Sequence, residues 1–152
     1  MNKRHILKLF NVWPPFLGAG IKIRRISADI REIDVEMKLN FLNRNYVGTH
    51  FGGSLYAMVD PFYMLILLEH LGKEYIRWDK AATIRFKKPG KGTVKASFRI
   101  SEEELREIRH QADTMPKTEP TFTVNILNED NEIVAEVEKT LYVKKKSKEM
   151  SD

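Results

Sequence analysis

Residues 55–68 constrain this chain more than any other stretch. Twelve of these 14 residues are apolar or aromatic, and the exceptions are Asp60 and Pro61. The run follows Gly52, Gly53 and Ser54 and closes on Leu71 and Gly72. A segment apolar on every side, of helical length and ended by glycine, reads as a buried helix over 54–71. Pro61 is expected to kink it or to release the Ala57 carbonyl. Asp60 is its only ionisable group before Glu69. One sheet face covers only one side of such a helix. Either a sheet wraps it closely or a second subunit helps to cover it.

The rest of the chain is rich in strand patterns. Residues 33–39 alternate cleanly and read as a half-buried antiparallel strand paired with 21–29. Residues 81–88 lead to a turn at Pro89-Gly90-Lys91-Gly92 and into a strand over 93–100. Ser101 and Glu104 form a capping box for a helix that ends near Asp113. Residues 121–127 and 132–143 make a hairpin across 128–131. In its second arm, Ile133, Ala135, Val137, Lys139 and Leu141 share one face. At the start, residues 3–11 read as a short helix that Pro14-Pro15 ends. The order predicts an α+β domain with an antiparallel sheet over 1–143. Residues 1–19 are its N-terminal helix and proline-containing lead-in, and 144–152 are a basic, disordered tail.

The composition narrows the chemistry. Among 152 residues there is no cysteine, so disulfide scaffolds, cysteine zinc sites, iron–sulfur clusters and thiol nucleophiles are excluded. The four histidines (His5, His50, His70, His110) are scattered, and we expect no metal. The net charge of +5 is partly a property of the tail. Aromatic and basic residues do not interleave as in nucleic-acid motifs, so no nucleic-acid partner is expected. No run approaches the roughly 18 apolar residues that span a membrane, and the basic start lacks a signal-peptide core. We therefore expect a cytoplasmic protein.

This arrangement resembles the hotdog fold of acyl-thioester enzymes. About five to six antiparallel strands wrap a long central helix there, and two subunits join their sheets. The segment from Asn45 to Asp60 is similar to the phenylacetate-pathway type of thioesterase, with Gly52-Gly53 at the glycine pair and Asp60 at the helix carboxylate. Gly48-Thr49-His50-Phe51-Gly52-Gly53-Ser54-Leu55-Tyr56, Asp60-Pro61 and Trp78-Asp79-Lys80 resemble more closely the uncharacterised branch called domain of unknown function 4442. Two departures stand out. Phe51 occupies the motif's His position, with His50 one residue earlier, and Pro61 directly follows the carboxylate.

The resemblance implies an acyl-CoA thioesterase working as a homodimer or tetramer. Coenzyme A is part of its substrate, and no other cofactor is needed. Backbone N–H groups of Gly53 and Gly52 would polarise the thioester carbonyl; the plain alternative is a tight turn packed on the sheet. Asp60 would activate water, or attack directly to form a transient anhydride; otherwise it is a structural ion pair. Two helical turns, about 10 Å, separate Gly53 from Asp60. The resemblance answers this by pairing the glycine turn of one subunit with the carboxylate of the other. Asn45 and His50 are candidate assistants, Thr49 a further loop contact, and Phe51 and Tyr56 candidate acyl contacts. Each also has an ordinary turn or core reading. Arg85, Lys87 and Lys88 are candidates for coenzyme A phosphates, or a lysine-protected strand edge. The competing function is an acyl-CoA or fatty-acid binding protein that does not turn over. A hotdog dehydratase fits less well, because it needs an Asp–His pair.

Overall fold

A computed structural model describes residues 3–147. The chain opens with α1 (Lys3–Lys8) and a 3-10 turn (Leu9–Val12). Pro14-Pro15 does not simply stop helical structure. It opens α2 (Pro14–Ala19), because proline is preorganised for the first helical positions, where its missing N–H is not needed. The strands and helices that follow are β1 (Ile21–Ile26), β2 (Glu32–Lys38), α3 (Gly52–Ala57), α4 (Phe62–Leu71), β3 (Tyr75–Phe86), β4 (Thr93–Arg99), α5 (Glu102–Thr114), β5 (Thr121–Leu127) and β6 (Ile133–Lys145). Among the described residues no helix is long and apolar enough to cross a membrane.

All six strands form one antiparallel sheet in the order β1-β2-β4-β5-β6-β3. The alternating strands bury one row each: Ile33, Val35 and Met37 on β2, and Val94, Ala96 and Phe98 on β4. α5 begins with the expected capping box, Ser101 Oγ accepting from the Glu104 N–H while Glu104 accepts from the Ser101 N–H. β3 starts at Tyr75, earlier than the pattern from 81 implied. β6 runs on to Lys145, so the first tail lysines pair with β3. Residues 148–152 of the expected tail, like Met1 and Asn2, lie outside the described residues.

The central helical segment packs on one face of this sheet. It is split rather than kinked, with α3 ending at Ala57 and α4 starting at Phe62. Pro61 has no N–H to continue the ladder, and the Ala57 carbonyl instead accepts from Asp60 at 3.4 Å. Phe62 packs on Phe98 at 4.8 Å, and Tyr63 stacks on Phe122 at 4.5 Å while its hydroxyl donates to the Thr123 carbonyl. The N-terminal helices run along the other side of α4, from the Lys3–Glu69 ion pair at its last turn to the Phe16–Phe62 contact at its first. Sheet, α5 and N-terminal helices thus supply the cover that an all-round apolar helix needs. Each buried Phe or Leu contributes about 1.5–3 kcal/mol. Gly72 stops α4 at φ +86, a conformation that residues with a Cβ rarely adopt.

Candidate active site

Two clefts flank β3, one at each end of its inward-facing row. The first, of about 430 Å³, is lined by Asn45, Thr49, His50, Gly52, Leu55, Phe86, Lys87, Lys88, Pro89 and Gly90. It therefore unites six of the residues singled out in the sequence. Gly52 and Gly53 are the first residues of α3, and their N–H groups have no hydrogen-bond partner among the described residues. The Ser54 and Leu55 N–H groups are already bonded to the Phe51 carbonyl. A Cβ on Gly52 would sit 3.2 Å from the Phe86 ring, so glycine lets the helix start lie against β3.

The loop side chains at this cleft hold the loop itself. Asn45 Oδ1 accepts from the Val47 and Thr49 N–H groups, and its Nδ2 donates to Thr49 Oγ1 at 3.0 Å. His50 is buried, with Nε2 2.8 Å from the Gly92 carbonyl and its own N–H bonded to the Gly90 carbonyl. Burial pushes the imidazole below its usual pKa, against the opposing pull of the Gly92 carbonyl. A donating Nε2 leaves Nδ1 as a lone pair, and Nδ1 has no partner among the described residues. Phe51 stands exposed at the helix cap. Lys88 is ion-paired with Glu132 at 2.7 Å. Arg85 is not brought to the cleft; it lies on the outward row of β3, 3.7 Å from Glu136.

The second cleft, also about 430 Å³, is lined by Tyr56, Asp79, Lys80, Ala81, Ala82 and Ile84. Beside it lies a cluster that the motif reading did not assemble. The Lys139 side chain has no exposed surface, yet its ammonium meets two carboxylates: Asp79 Oδ1 at 2.8 Å and Asp60 Oδ1 at 3.2 Å. It also donates to the Asp60 backbone carbonyl at 2.5 Å. The Tyr56 hydroxyl donates to Asp60 Oδ1 at 3.2 Å. Burial alone would lower the Lys139 pKa. The bond to Asp79 and the pull of both carboxylates outweigh it, and the net shift is upward. Burial raises the Tyr56 phenol, with Lys139 opposing.

Asp60 is not buried as its apolar flanks implied. The break before Pro61 turns it outward, and its side chain is 51% exposed. Oδ1 is engaged, whereas Oδ2 makes no hydrogen bond among the described residues. Asp79 reaches the inner face through a bulge. Asp79 pairs with Leu141 and Ala81 with Thr140, so the inward row switches from odd to even positions at Lys80. The signal for Lys139 was present in the sequence as a lysine within an apolar row; the signal for Asp79 was not.

Within one copy the far ends of the two clefts stay apart, although Leu55 and Phe86 of the first neighbour Tyr56 and Ile84 of the second. Phe86, against Gly52, and Asp79, against Lys139, are seven residues apart on β3, about 20 Å along a strand. β3 is also an edge of the sheet, with no strand on its far side among the described residues.

Residues 2–143 match the family described as Domain of unknown function (DUF4442), nearly the whole chain. The chain belongs to the DUF4442 family. No curated protein matches it. Solved structures show that this DUF4442 chain has the hotdog fold. PA5026 of Pseudomonas aeruginosa, described as a protein of unknown function and probable thioesterase, is 19% identical, with 96% of this chain and 97% of that one covered and a TM-score of 0.84. A protein of unknown function from Chlorobaculum tepidum is 17% identical, with 93% and 94% covered and a TM-score of 0.75. The thioesterase HI1161 of Haemophilus influenzae is 16% identical, with 91% and 88% covered and a TM-score of 0.65.

Proposed function

We propose that this DUF4442 protein is an acyl-CoA thioesterase whose site is completed by two copies of the chain. The observation that carries this reading is Asp60. It is a half-exposed carboxylate with one oxygen fixed by Lys139 and Tyr56 and the other free, set beside a cleft at the sheet edge. The description of two fold neighbours as thioesterases supports the same reaction class.

On this reading two β3 edges pair antiparallel about a two-fold at Thr83. Inward rows then stay on one face. Phe86 of one copy, with Gly52 beside it, comes opposite the Asp79–Lys80 bulge of the other, with Asp60 and Lys139 beneath it. The N–H groups of Gly52 and Gly53 polarise the thioester carbonyl. A water oxygen attacks the acyl carbon while Asp60 Oδ2 takes its proton. The tetrahedral oxyanion collapses, the C–S bond breaks, and the departing thiolate recovers the proton from Asp60. The products are a carboxylic acid and the free thiol of coenzyme A. Direct attack by Asp60 through an anhydride is the alternative route. Lys87 and Lys88 at the mouth of the first cleft meet the phosphates of coenzyme A. Lys139 is a positioning residue that fixes the Asp60 carboxylate, and Asp79 balances its charge.

The test is release of free thiol from short, long and aromatic acyl-CoAs by the purified protein. Turnover of any of them supports the reading. A rise in melting temperature with acyl-CoA but no turnover of any of them means a binding protein; that reading draws on the engagement of Asp60 Oδ1 in an ion pair.

A further inference from the structure

The acidic residues of this chain are unevenly placed. Residues 1–28 and 37–59 contain no Asp or Glu, but eight Lys and Arg: Lys3, Arg4, Lys8, Lys22, Arg24, Arg25, Lys38 and Arg44. These same stretches carry ten of the fifteen large apolar side chains that stand exposed among the described residues. The two stretches meet in space, because Asn43 Nδ2 donates to the Ala19 carbonyl at 2.9 Å and ties the 40–44 turn to the end of α2.

The outer side of the N-terminal helices is therefore unusual. Their inner side packs over α4, through Phe16 on Phe62. Their outer side exposes Leu9 at 55%, Val12 at 65% and Leu17 at 64%, and Trp13 at 44%. Ile6, Leu9, Phe10 and Trp13 enclose an apolar groove of about 460 Å³. Past the Asn43 tie, Phe41 and Leu42 stand 77% and 80% exposed. Arg44 lies over the Phe41 ring at 5.6 Å. Lys8, Lys38 and Arg44 have no ion pair among the described residues; Lys3, Arg24 and Arg25 do.

We infer that this face docks on an anionic lipid bilayer. Apolar side chains that project from short helices, with a tryptophan among them and cations around them, match the interface between acyl chains and headgroups. The charge argues against a second copy of the chain as occupant, because two such faces would set cation against cation with no acid in either stretch. Each lysine or arginine near an anionic surface strengthens the docking, and the attraction weakens with salt.

The test is co-sedimentation with vesicles of phosphatidylcholine containing one-third phosphatidylglycerol, beside pure phosphatidylcholine. The expected result is sedimentation with the anionic vesicles alone, weakened by salt. Leu9→Ser with Leu17→Ser, and separately Lys8→Glu with Arg44→Glu, should each weaken it by about tenfold or more. Leu9 and Leu17 are exposed, so folding should survive, and circular dichroism checks this. Absence of sedimentation by the wild type overturns the proposal, as does unchanged sedimentation by both folded variants. A fall in oligomeric mass on Leu9→Ser with Leu17→Ser also overturns it, because the face is then a contact between copies. The proposal stands apart from the assigned hydrolysis, since Leu9 and Leu17 line neither cleft and turnover of a water-soluble short acyl-CoA by Leu9→Ser with Leu17→Ser should be unchanged.

Discussion

The Lys139 ammonium lies 2.8 Å from Asp79 Oδ1, and no part of the Lys139 side chain reaches solvent. The pairing depends on the bulge at Lys80, which puts Asp79 on the inner face of β3. Lys139→Met should therefore leave two carboxylates without their shared cation. We expect a loss of about 2–4 kcal/mol, below the range for a fully buried pair because both carboxylates meet solvent. Adding Asp79→Asn should recover part of that loss. Urea unfolding of Lys139→Met, Asp79→Asn and the double variant measures the coupling.

His50 gives a pH signature. Its imidazole is lowered by burial, so the fold favours the neutral ring. The associated stability is complete above the unfolded value near 6.5. It is lost as pH falls from there through the lower folded value, because the unfolded chain binds the proton more readily. Melting temperatures should thus decline below about pH 6.5 before carboxylate titration begins. His50→Gln keeps an N–H for the Gly92 carbonyl and should flatten that limb.

Gly90 is fixed by the same histidine. A Cβ there would meet His50 Cδ2 at 3.1 Å, His50 Cβ at 3.2 Å and Val134 Cγ1 at 3.3 Å. Gly90→Ala should cost about 1–3 kcal/mol through overpacking, read by chemical denaturation.

How the sequence revealed some of this and concealed the rest follows from local physics. The strands over 33–39 and 93–100 and the capping box at Ser101 depend on periodicities and a cap that neighbours do not alter. The loop residues Asn45, Thr49, His50 and Gly52 are close in sequence, so one motif collected them at one cleft. The exposure of Asp60 is hidden in the sequence, because an apolar run implies burial only while the helix continues, and Pro61 breaks it. Asp79 carries no local signal in the sequence beyond its place in Trp78-Asp79-Lys80. Alternation assigns faces correctly only up to a bulge, and the parity of β3 reverses at Lys80. Lys139 was legible as an odd lysine among Ala135, Val137 and Leu141, but its partners arrive from α3–α4 and β3, which no local pattern joins.

The split between Gly52 and Asp60 makes a prediction about subunits. Gly52→Val and Asp60→Asn should each lower turnover by about a hundredfold or more alone. Mixed and reassembled, they should recover about one quarter of wild-type activity, since half the dimers then hold one intact site of two. Thr83→Glu, which sets like charges face to face on the two-fold, should give monomers by sedimentation equilibrium and no turnover.

The central claim is that Asp60 activates water toward a thioester. It is tested most directly by the turnover number of Asp60→Asn, on whichever acyl-CoA the wild type hydrolyses best, in protein whose melting temperature is confirmed. Asparagine keeps the shape and cannot take a proton. The account predicts a fall in kcat of about 10²–10⁴ with KM little changed. A folded Asp60→Asn protein that hydrolyses thioesters at the wild-type rate would contradict it.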